Sequence, residues 1–313
     1  MLLLVAYLAV AGRVLFLALE RAAIKRLGAG APPMATTLVF FATATLSLTP
    51  VSGHALADYF RSTAWASQPD RWQTMAGVLG MAAAVYTLAF MSYSAALSAG
   101  EMSVVGPLAH VNALFLLVLA FVFHHEPLTP LRVAGTVMVV WGGVTLGRRG
   151  GGRARRTGRR AGRIGRQGGR RGDGRAAVFF ILAYAFFLAV GRIIDKHATV
   201  TLDMPNGVYT ILTYASVTAC LVLVCLVGGT LKNAARLLLN RPRLSILAGT
   251  FTAYAFFFLV VAIQRLDLTV VEPVSGLAAL VNLWLGSALF NENLVGKTAP
   301  SALIVLGSSL ILV

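Results

Sequence analysis

Two stretches of the chain share one pattern. The stretch "EMSVVGPLAHVNALFLLVLAFVFHHEPL" at 101–128 aligns without a gap over "DLTVVEPVSGLAALVNLWLGSALFNENL" at 267–294. Extended to residue 313, the alignment contains eleven identities in 47 positions. Apolar segments share several residues by chance, but a proline and a glutamate recur here at the same spacing of 19 residues: Pro107 and Glu126, Pro273 and Glu292. The chain therefore contains an internal repeat with an offset of 166 residues.

The composition is that of a membrane protein. Hydrophobic residues make up 58% of the chain, charged residues make up 12%, and the mean hydropathy is +0.78. A soluble domain is about half apolar and about a quarter charged. A bilayer core requires about 20 apolar residues per helix. We therefore predict an all-α integral membrane protein with ten transmembrane helices, at 2–20, 34–52, 74–98, 101–123, 131–147, 177–198, 206–229, 244–264, 268–290 and 298–313.

Five of these runs precede an Arg/Gly-rich segment, and five follow it. The predicted domains are a first five-helix repeat at 1–147, the Arg/Gly segment at 148–175, and a second five-helix repeat at 176–313. Because each half has an odd number of helices, the second half enters the membrane from the opposite side. Such inverted repeats characterise secondary transporters, which bind the solute between the two halves near the membrane midplane.

The first helices of the two halves align less clearly than the fourth and fifth. Gly12-Arg13 matches Gly191-Arg192 under one shift, and Glu20-Arg21 matches Asp195-Lys196 under another. The sequence leaves both alignments open.

Each half also carries a small-residue helix end, a short turn, a proline early in the next helix and a glutamate at its close. These features read "YSAALSAGEMSVVGP…HHEPLT" in the first half and "VAIQRLDLTVVEP…NENLVG" in the second. The Gly-rich fifth helix is "GTVMVVWGGVTLG". In these motifs each half resembles an EamA domain of the drug/metabolite transporter superfamily. The resemblance implies a transporter with cytoplasmic termini, but it identifies no substrate.

The Arg/Gly segment, 148–175, holds twelve Arg and ten Gly in 28 residues. It has too little apolar surface to form a core, so we predict a disordered linker between the halves. Attraction to anionic lipid is a second role that its charge allows. Nucleic-acid binding is disfavoured because no aromatic residues are interleaved for base stacking.

The orientation in the membrane stays open. Lys and Arg mark cytoplasmic loops, which favours a cytoplasmic Arg/Gly segment. The family resemblance implies the reverse, because five spans separate this segment from the N-terminus.

Polar residues inside apolar runs are the candidates for solute binding. A charge at bilayer depth costs about 2.5–3.5 kcal/mol on insertion scales, so it marks a function or a buried partner. The candidates are Arg13, Arg192, Glu272, His110 and Tyr93. Two arginines favour a solute with a carboxylate or phosphate, and replacing either by Gln is expected to cause a large loss of transport with normal expression and folding. The alternatives are an i,i+3 pair between Arg192 and Asp195, and interfacial positions for Glu20, Asp195 and Glu272.

Other repeated residues have structural interpretations. Pro107 and Pro273 remove a backbone donor near a helix start, and Glu126 and Glu292 end the fourth helix of each half. Four glycines are expected to allow close helix contact: Gly77, Gly80, Gly142 and Gly143.

The sequence contains no cluster typical of an enzyme. "GKT" at 296–298 lacks the earlier glycine of a phosphate-binding loop, and no catalytic, metal-binding or cofactor motif is present. We therefore predict a secondary transporter of a small polar or amphiphilic metabolite, in the inner membrane of a bacterium. A multidrug or lipid-linked-precursor carrier is the main alternative, followed by a membrane enzyme or a scaffold. The coupling partner is open between H⁺ and a counter-substrate, and the oligomeric state between monomer and homodimer.

Overall fold

The computed structural model describes residues 2–28, 30–62, 69–99, 109–157, 174–278, 280–281, 284–285 and 298–312. In these ranges all regular structure is helical, as the hydropathy predicts. The helices are α1 (Leu2–Leu27), α2 (Pro33–Ser62), α3 (Pro69–Ala99), α4 (Asn112–His124), α5 (Pro130–Thr157), α6 (Gly174–Lys196), α7 (Asn206–Val227), α8 (Leu231–Asn240), α9 (Pro242–Ile263), α10 (Leu268–Ser275) and α11 (Thr298–Leu312). A 3₁₀ turn at Ala109–Val111 precedes α4, and a π-helical turn at His197–Thr201 continues α6.

Five helices in the described ranges are long and apolar enough to cross a membrane. They correspond to α2, α3, α6 with its π turn, α7 and α9. Two shorter apolar helices lie at Asn112–His124 and Ala299–Leu312. The prediction of a multi-pass membrane protein is therefore confirmed, whereas the arrangement of ten spans as inverted repeats stays a prediction.

Helix α8 was not predicted. It is a short amphipathic helix that buries Ala234 and Leu237 and carries Lys232 and Arg236. The apolar positions three residues apart are the sequence signal for it.

The helices pack in a regular pattern of pairs. Helix α1 packs along α9, α3 along α6, and α5 along α11, while α2 contacts both α7 and α9. Helices α5 and α11 meet at glycines: a Cβ added to Gly135 would lie 2.5 Å from the carbonyl oxygen of Gly307, and one on Gly142 would lie 2.8 Å from that of Pro300. The absence of side chains at these positions lets the two backbones touch.

Of the four predicted glycine contacts, the one at Gly142 is confirmed. Gly142 lies in the α5–α11 contact, and Gly143 beside it is buried. The prediction was wrong for Gly77 and Gly80, because a Cβ at either position would meet nothing within 4 Å. Both residues lie on the exposed face of α3, so their spacing carried no information about packing.

The Arg/Gly segment begins inside a helix. Helix α5 continues to Thr157 and therefore includes the first ten residues of the segment, where disorder was predicted. Arg has a high helix propensity and continues a helix that is already nucleated. Residues 158–173 lie outside the described residues, and for them the disordered linker stays a prediction.

Candidate solute-binding site

Arg192, on α6, is the centre of a buried ionic network. Its Nε donates to Oε1 of Glu272 at 2.6 Å, and its Nη1 donates to the Tyr86 hydroxyl at 2.8 Å and to Oδ2 of Asp195 at 3.1 Å. The rings of Tyr86 and Phe256 lie 5.6 and 5.5 Å from the guanidinium carbon, within cation–π distance. The positive charge of Arg192 is therefore compensated by two carboxylates and two aromatic rings.

Asp195 is fully buried and fully bonded. Its Oδ2 accepts the Tyr86 hydroxyl at 2.5 Å, and its Oδ1 accepts the Tyr209 hydroxyl at 2.7 Å. With Arg192, these donors stabilise a charge that would otherwise be very unfavourable in a low-dielectric interior. The network connects α3 of the first half to α6, α7 and α10 of the second. Neither tyrosine is among the candidates selected from the sequence, since hydrophobicity does not reveal the partner of a hydroxyl.

A glycine beside each candidate arginine accommodates an aromatic ring. A Cβ added to Gly191 would lie 2.7 Å from Cζ of Tyr86, and one added to Gly12 would lie 3.0 Å from the ring of Phe258. The ring in each case belongs to the helix that packs along the arginine's own helix, α3 for α6 and α9 for α1. The two Gly-Arg pairs thus have the same packing.

Arg13, on α1, is buried without an ionic partner among the described residues. Its exposed fraction is only 6%, and its Nη1 donates to the carbonyl oxygen of Ala255 at 3.1 Å. Its Nε has no hydrogen-bond partner among the residues that the structure describes. Arg13 lies within electrostatic range of Glu272, Arg192 and Glu20. The structure therefore brings three predicted site residues, Arg13, Arg192 and Glu272, into one neighbourhood.

The i,i+3 pair between Arg192 and Asp195, which the sequence left open, is present. The interfacial interpretation was wrong for Asp195 and Glu272, because both are buried and both bind Arg192. It fits Glu20 better, since this side chain is partly exposed.

The remaining predicted residues lie elsewhere or outside the described side chains. Tyr93 is half-buried, packs on Tyr184 with ring centroids 4.9 Å apart, and lies within electrostatic range of Glu20 and Arg21. His110 belongs to the 3₁₀ turn, but its side chain is not among those described. Pro107 and Glu292 lie entirely outside the described residues. Pro273 is buried inside α10, directly after Glu272.

Glu126 caps a helix of the opposite half. His125 ends α4 in the left-handed region (φ 53°), and the Glu126 amide turns back to the Ala120 carbonyl at 3.3 Å. This turn directs the carboxylate to the start of α10. Its Oε1 accepts the Leu268 amide at 2.8 Å, and its Oε2 accepts the amide and hydroxyl of Thr269 at 2.9 and 2.7 Å. A carboxylate here satisfies free amides and complements the helix dipole.

Basic residues surround the capping carboxylate. Lys196 Nζ lies 2.8 Å from Oε1 of Glu126 and 3.9 Å from Asp267, which Arg132 Nη1 contacts at 2.7 Å. Burial would raise the pKa of Glu126, but Lys196 and the Thr269 donors hold that pKa below its ordinary value. Glu126 is therefore ionised at neutral pH. This polar cluster joins the end of α6, the α4–α5 turn and the start of α10.

An apolar groove lies on another face of α1. Its volume is ≈ 410 Å³, and nearly all of its lining is apolar. The lining residues come from α1, from the region of α10 and from α11: Tyr7, Val10, Ala11, Val14, Leu15, Leu266, Val270, Val274, Leu277, Val281 and Leu312.

One family model matches the first part of the chain. The model of the EamA-like transporter family matches residues 4–147, which hold Arg13, Tyr86 and Glu126. The first half of the chain is an EamA-like transporter domain. This membership places the protein among membrane transporters of the drug/metabolite transporter superfamily.

Solved structures share the fold of this EamA-like protein. One crystal structure, 20% identical in sequence, aligns with a TM-score of 0.69 over 97% of this chain and 95% of that chain. At that identity the likeness concerns the fold alone. No curated protein matches the chain at a significant level.

Proposed function

We propose that the EamA-like protein is a secondary transporter that works by alternating access. In this proposal the chain forms ten spans in two inverted five-helix repeats, joined by the Arg/Gly segment. A small polar or amphiphilic metabolite binds between the halves and is exported or exchanged. The protein lies in the inner membrane of a bacterium.

The helix pairs support the inverted repeat. The first helix of the first half, α1, packs along α9, the third predicted span of the second half. The first helix of the second half, α6, packs along α3, the third span of the first half. The two pairs are the ones that a twofold axis in the membrane plane exchanges, and each carries a Gly-Arg pair against an aromatic ring.

The observation that carries the proposal is the buried charged network around Arg192. Charges inside a membrane protein are expensive and mark solute or ion pathways. Arg192, Asp195 and Glu272 meet Tyr86 of the opposite half, and Arg13 lies nearby. A site built from both halves is accessible from alternate sides when the halves move.

Different closure at the two ends supports the same mechanism. Beyond Asp195, the cluster of Glu126, Lys196 and Asp267 ties the halves together. In the other direction, Glu20 and Tyr93 are partly exposed. We assign the first end as closed and the second as the open path, with Tyr93 on the way to the site.

The apolar groove favours one alternative cargo. A groove of ≈ 410 Å³ beside α1 is large enough for part of an acyl chain or a drug-sized apolar body. A multidrug or lipid-linked-precursor carrier would use it together with the polar site.

The test is transport by the purified protein in proteoliposomes, against a panel of organic acids, amines, neutral metabolites and amphiphiles. Wild type is expected to exchange at least one class, with or without a pH gradient. Glu272→Gln should lose most of the rate, because it removes one charge of the central network. The control, Leu4→Ala, changes a side chain that is 62% exposed and should transport as wild type. If the well-folded protein transports none of these compound classes, the proposal is contradicted.

A further inference from the structure

We propose that Arg13 is the residue that binds the solute, and that the solute carries a carboxylate or a phosphate. This inference rests on the proposed transport function and specifies its substrate class. It separates the roles of the two candidate arginines. Arg13 binds the anion, whereas Arg192 holds the carboxylates of Asp195 and Glu272 in place.

The first argument concerns the hydrogen bonds that Arg13 makes within the described residues. A guanidinium carries five N–H donors and a permanent charge. Arg13 donates one bond to the Ala255 carbonyl, and its Nε has no partner among the described residues. A carbonyl oxygen accepts a hydrogen bond but neutralises no charge. An arginine that is 6% exposed in this state is unfavourable unless an anion completes it.

The second argument is a position-by-position comparison with Arg192. When Gly12-Arg13 is placed over Gly191-Arg192, Asp195 lies over Phe16. The offset of 166 residues places Glu272 over Gly106. The ring against the glycine is Tyr86 in one copy and Phe258 in the other. At these positions the surroundings of Arg13 thus have a phenylalanine or a glycine where the surroundings of Arg192 have an acid or a hydroxyl group.

The third argument concerns the neighbouring acids. Glu272 is within electrostatic range of Arg13, but it is bonded to Arg192 at 2.6 Å. Glu20 is within the same range without forming an ion pair. Among the described residues, neither carboxylate accepts a hydrogen bond from Arg13. A planar carboxylate or a phosphate fits the free edge of a guanidinium.

The fourth argument concerns the body of the solute. Phe16 lies one turn from Arg13 and packs against Tyr254 and Phe258, with ring centroids 5.6 and 5.5 Å apart. Aromatic side chains beside a cation accommodate an apolar group attached to the anionic head. We therefore expect an organic anion to bind more tightly than an inorganic one.

The experiment uses matched probes on the full chain in chloride-free detergent solution. Benzoate and phenyl phosphate are compared with neutral benzyl alcohol and cationic benzylamine, through the shift of the thermal unfolding midpoint with probe concentration. Wild type should be stabilised by the two anions and not by the amine. Failure of both anions to bind more tightly than benzyl alcohol would overturn the proposal.

Three variants assign the binding to Arg13. Arg13→Gln should weaken benzoate binding about 10- to 100-fold, the range expected for one charge-assisted hydrogen-bonded pair. Arg13→Lys retains the charge and should lie between wild type and Gln. Arg61→Gln removes an exposed charge on α2 and should bind as wild type. Equal affinity of wild type and both Arg13 variants would refute the assignment, and the Lys variant keeps the test valid if the Gln variant fails to fold.

Two further arms distinguish the source of the anion and the two levels of the proposal. Binding of benzoate in phosphatidylcholine nanodiscs should be unaffected by added phosphatidylglycerol; competition would mean that a lipid headgroup occupies Arg13, contrary to a soluble cargo. In proteoliposomes, transport of amines alone would overturn the anion inference and leave the transport function intact. Transport of no probe class would contradict the transport function itself.

Discussion

The two Gly-Arg pairs of the chain have the same packing but opposite chemistry. At Arg192 a buried cation meets two carboxylates and a hydroxyl, at distances of 2.6 to 3.1 Å. At Arg13 a buried cation donates to one carbonyl oxygen among the described residues. A buried ion pair that is complete contributes little net stability, but an incomplete one is strongly unfavourable. In the assignment that we propose, one copy of the Gly-Arg pair is a structural network and the other is a binding site.

The largest expected effect concerns stability at Arg192. Arg192→Gln leaves Asp195 and Glu272 buried without their cation, so the free energy of unfolding should fall by about 3–5 kcal/mol. Arg13→Gln should leave the stability unchanged or raise it, because it removes a buried charge that forms no ion pair among the described residues. Chemical unfolding in detergent measures both. This revises the expectation from sequence that both variants fold normally.

A double variant sharpens that prediction. Arg192→Gln with Glu272→Gln removes a cation and an anion together and should recover part of the lost stability. An equal loss of stability in Arg13→Gln and Arg192→Gln would contradict the distinction between the two arginines.

The glycines beside the arginines should differ in the same direction. Gly191→Ala forces the Tyr86 ring away from α6 and disturbs its bonds to Arg192 and Asp195, with an expected loss of about 1–3 kcal/mol. Gly12→Ala meets a phenylalanine ring that has no polar bonds and should lose less. Gly77→Ala, which meets nothing within 4 Å, is the matched control and should be neutral or slightly stabilising. Thermal unfolding measures these losses. A larger loss of stability in Gly12→Ala than in Gly191→Ala would contradict this order.

Glu126 provides a test of the closed end. Glu126→Gln keeps an acceptor for α10 but loses the charge, so we expect a loss of about 1–2 kcal/mol at neutral pH. Because the pKa of Glu126 is lowered by folding, its contribution is complete above pH 4.5 and is lost as the pH falls through the lower folded pKa.

The stability difference between wild type and Glu126→Gln should therefore shrink in acid. Unfolding midpoints from pH 7 to pH 3 measure it. Asp58→Asn, at an exposed carboxylate on α2, is the control and should follow wild type. A difference that stays constant with pH would show that the charge of Glu126 does not support the cap.

The smallest expected effect concerns the Arg/Gly segment. We expect this segment to connect the two halves and to take no part in solute binding. Replacing residues 150–174 by a Gly/Ser chain of equal length should keep transport per correctly inserted molecule, measured in proteoliposomes. Loss of transport in correctly inserted protein would assign the segment a part in the mechanism.

Much of the fold was predictable from the sequence alone. Composition and run length identify the apolar helices, because lipid solvation acts on each segment by itself. The offset of 166 residues identified the repeat, and its Pro and Glu spacing pointed to the EamA family. The sequence also selected Arg13, Arg192 and Glu272, since charge inside an apolar run is a local signal.

Only the tertiary structure decided which charges are compensated. Glu272 and Tyr86 lie 80 and 106 positions from Arg192, and Glu126 caps a helix that starts 142 positions away. Helical periodicity links residues three or four apart, so of all these contacts it suggested only the pair of Arg192 with Asp195. The other partners depend on how α3, α6, α7 and α10 cross, which is set by the packing of small and aromatic side chains over the whole chain. For that reason the sequence shows two equal arginines, while the fold neutralises Arg192 and gives Arg13 no ion pair among the described residues.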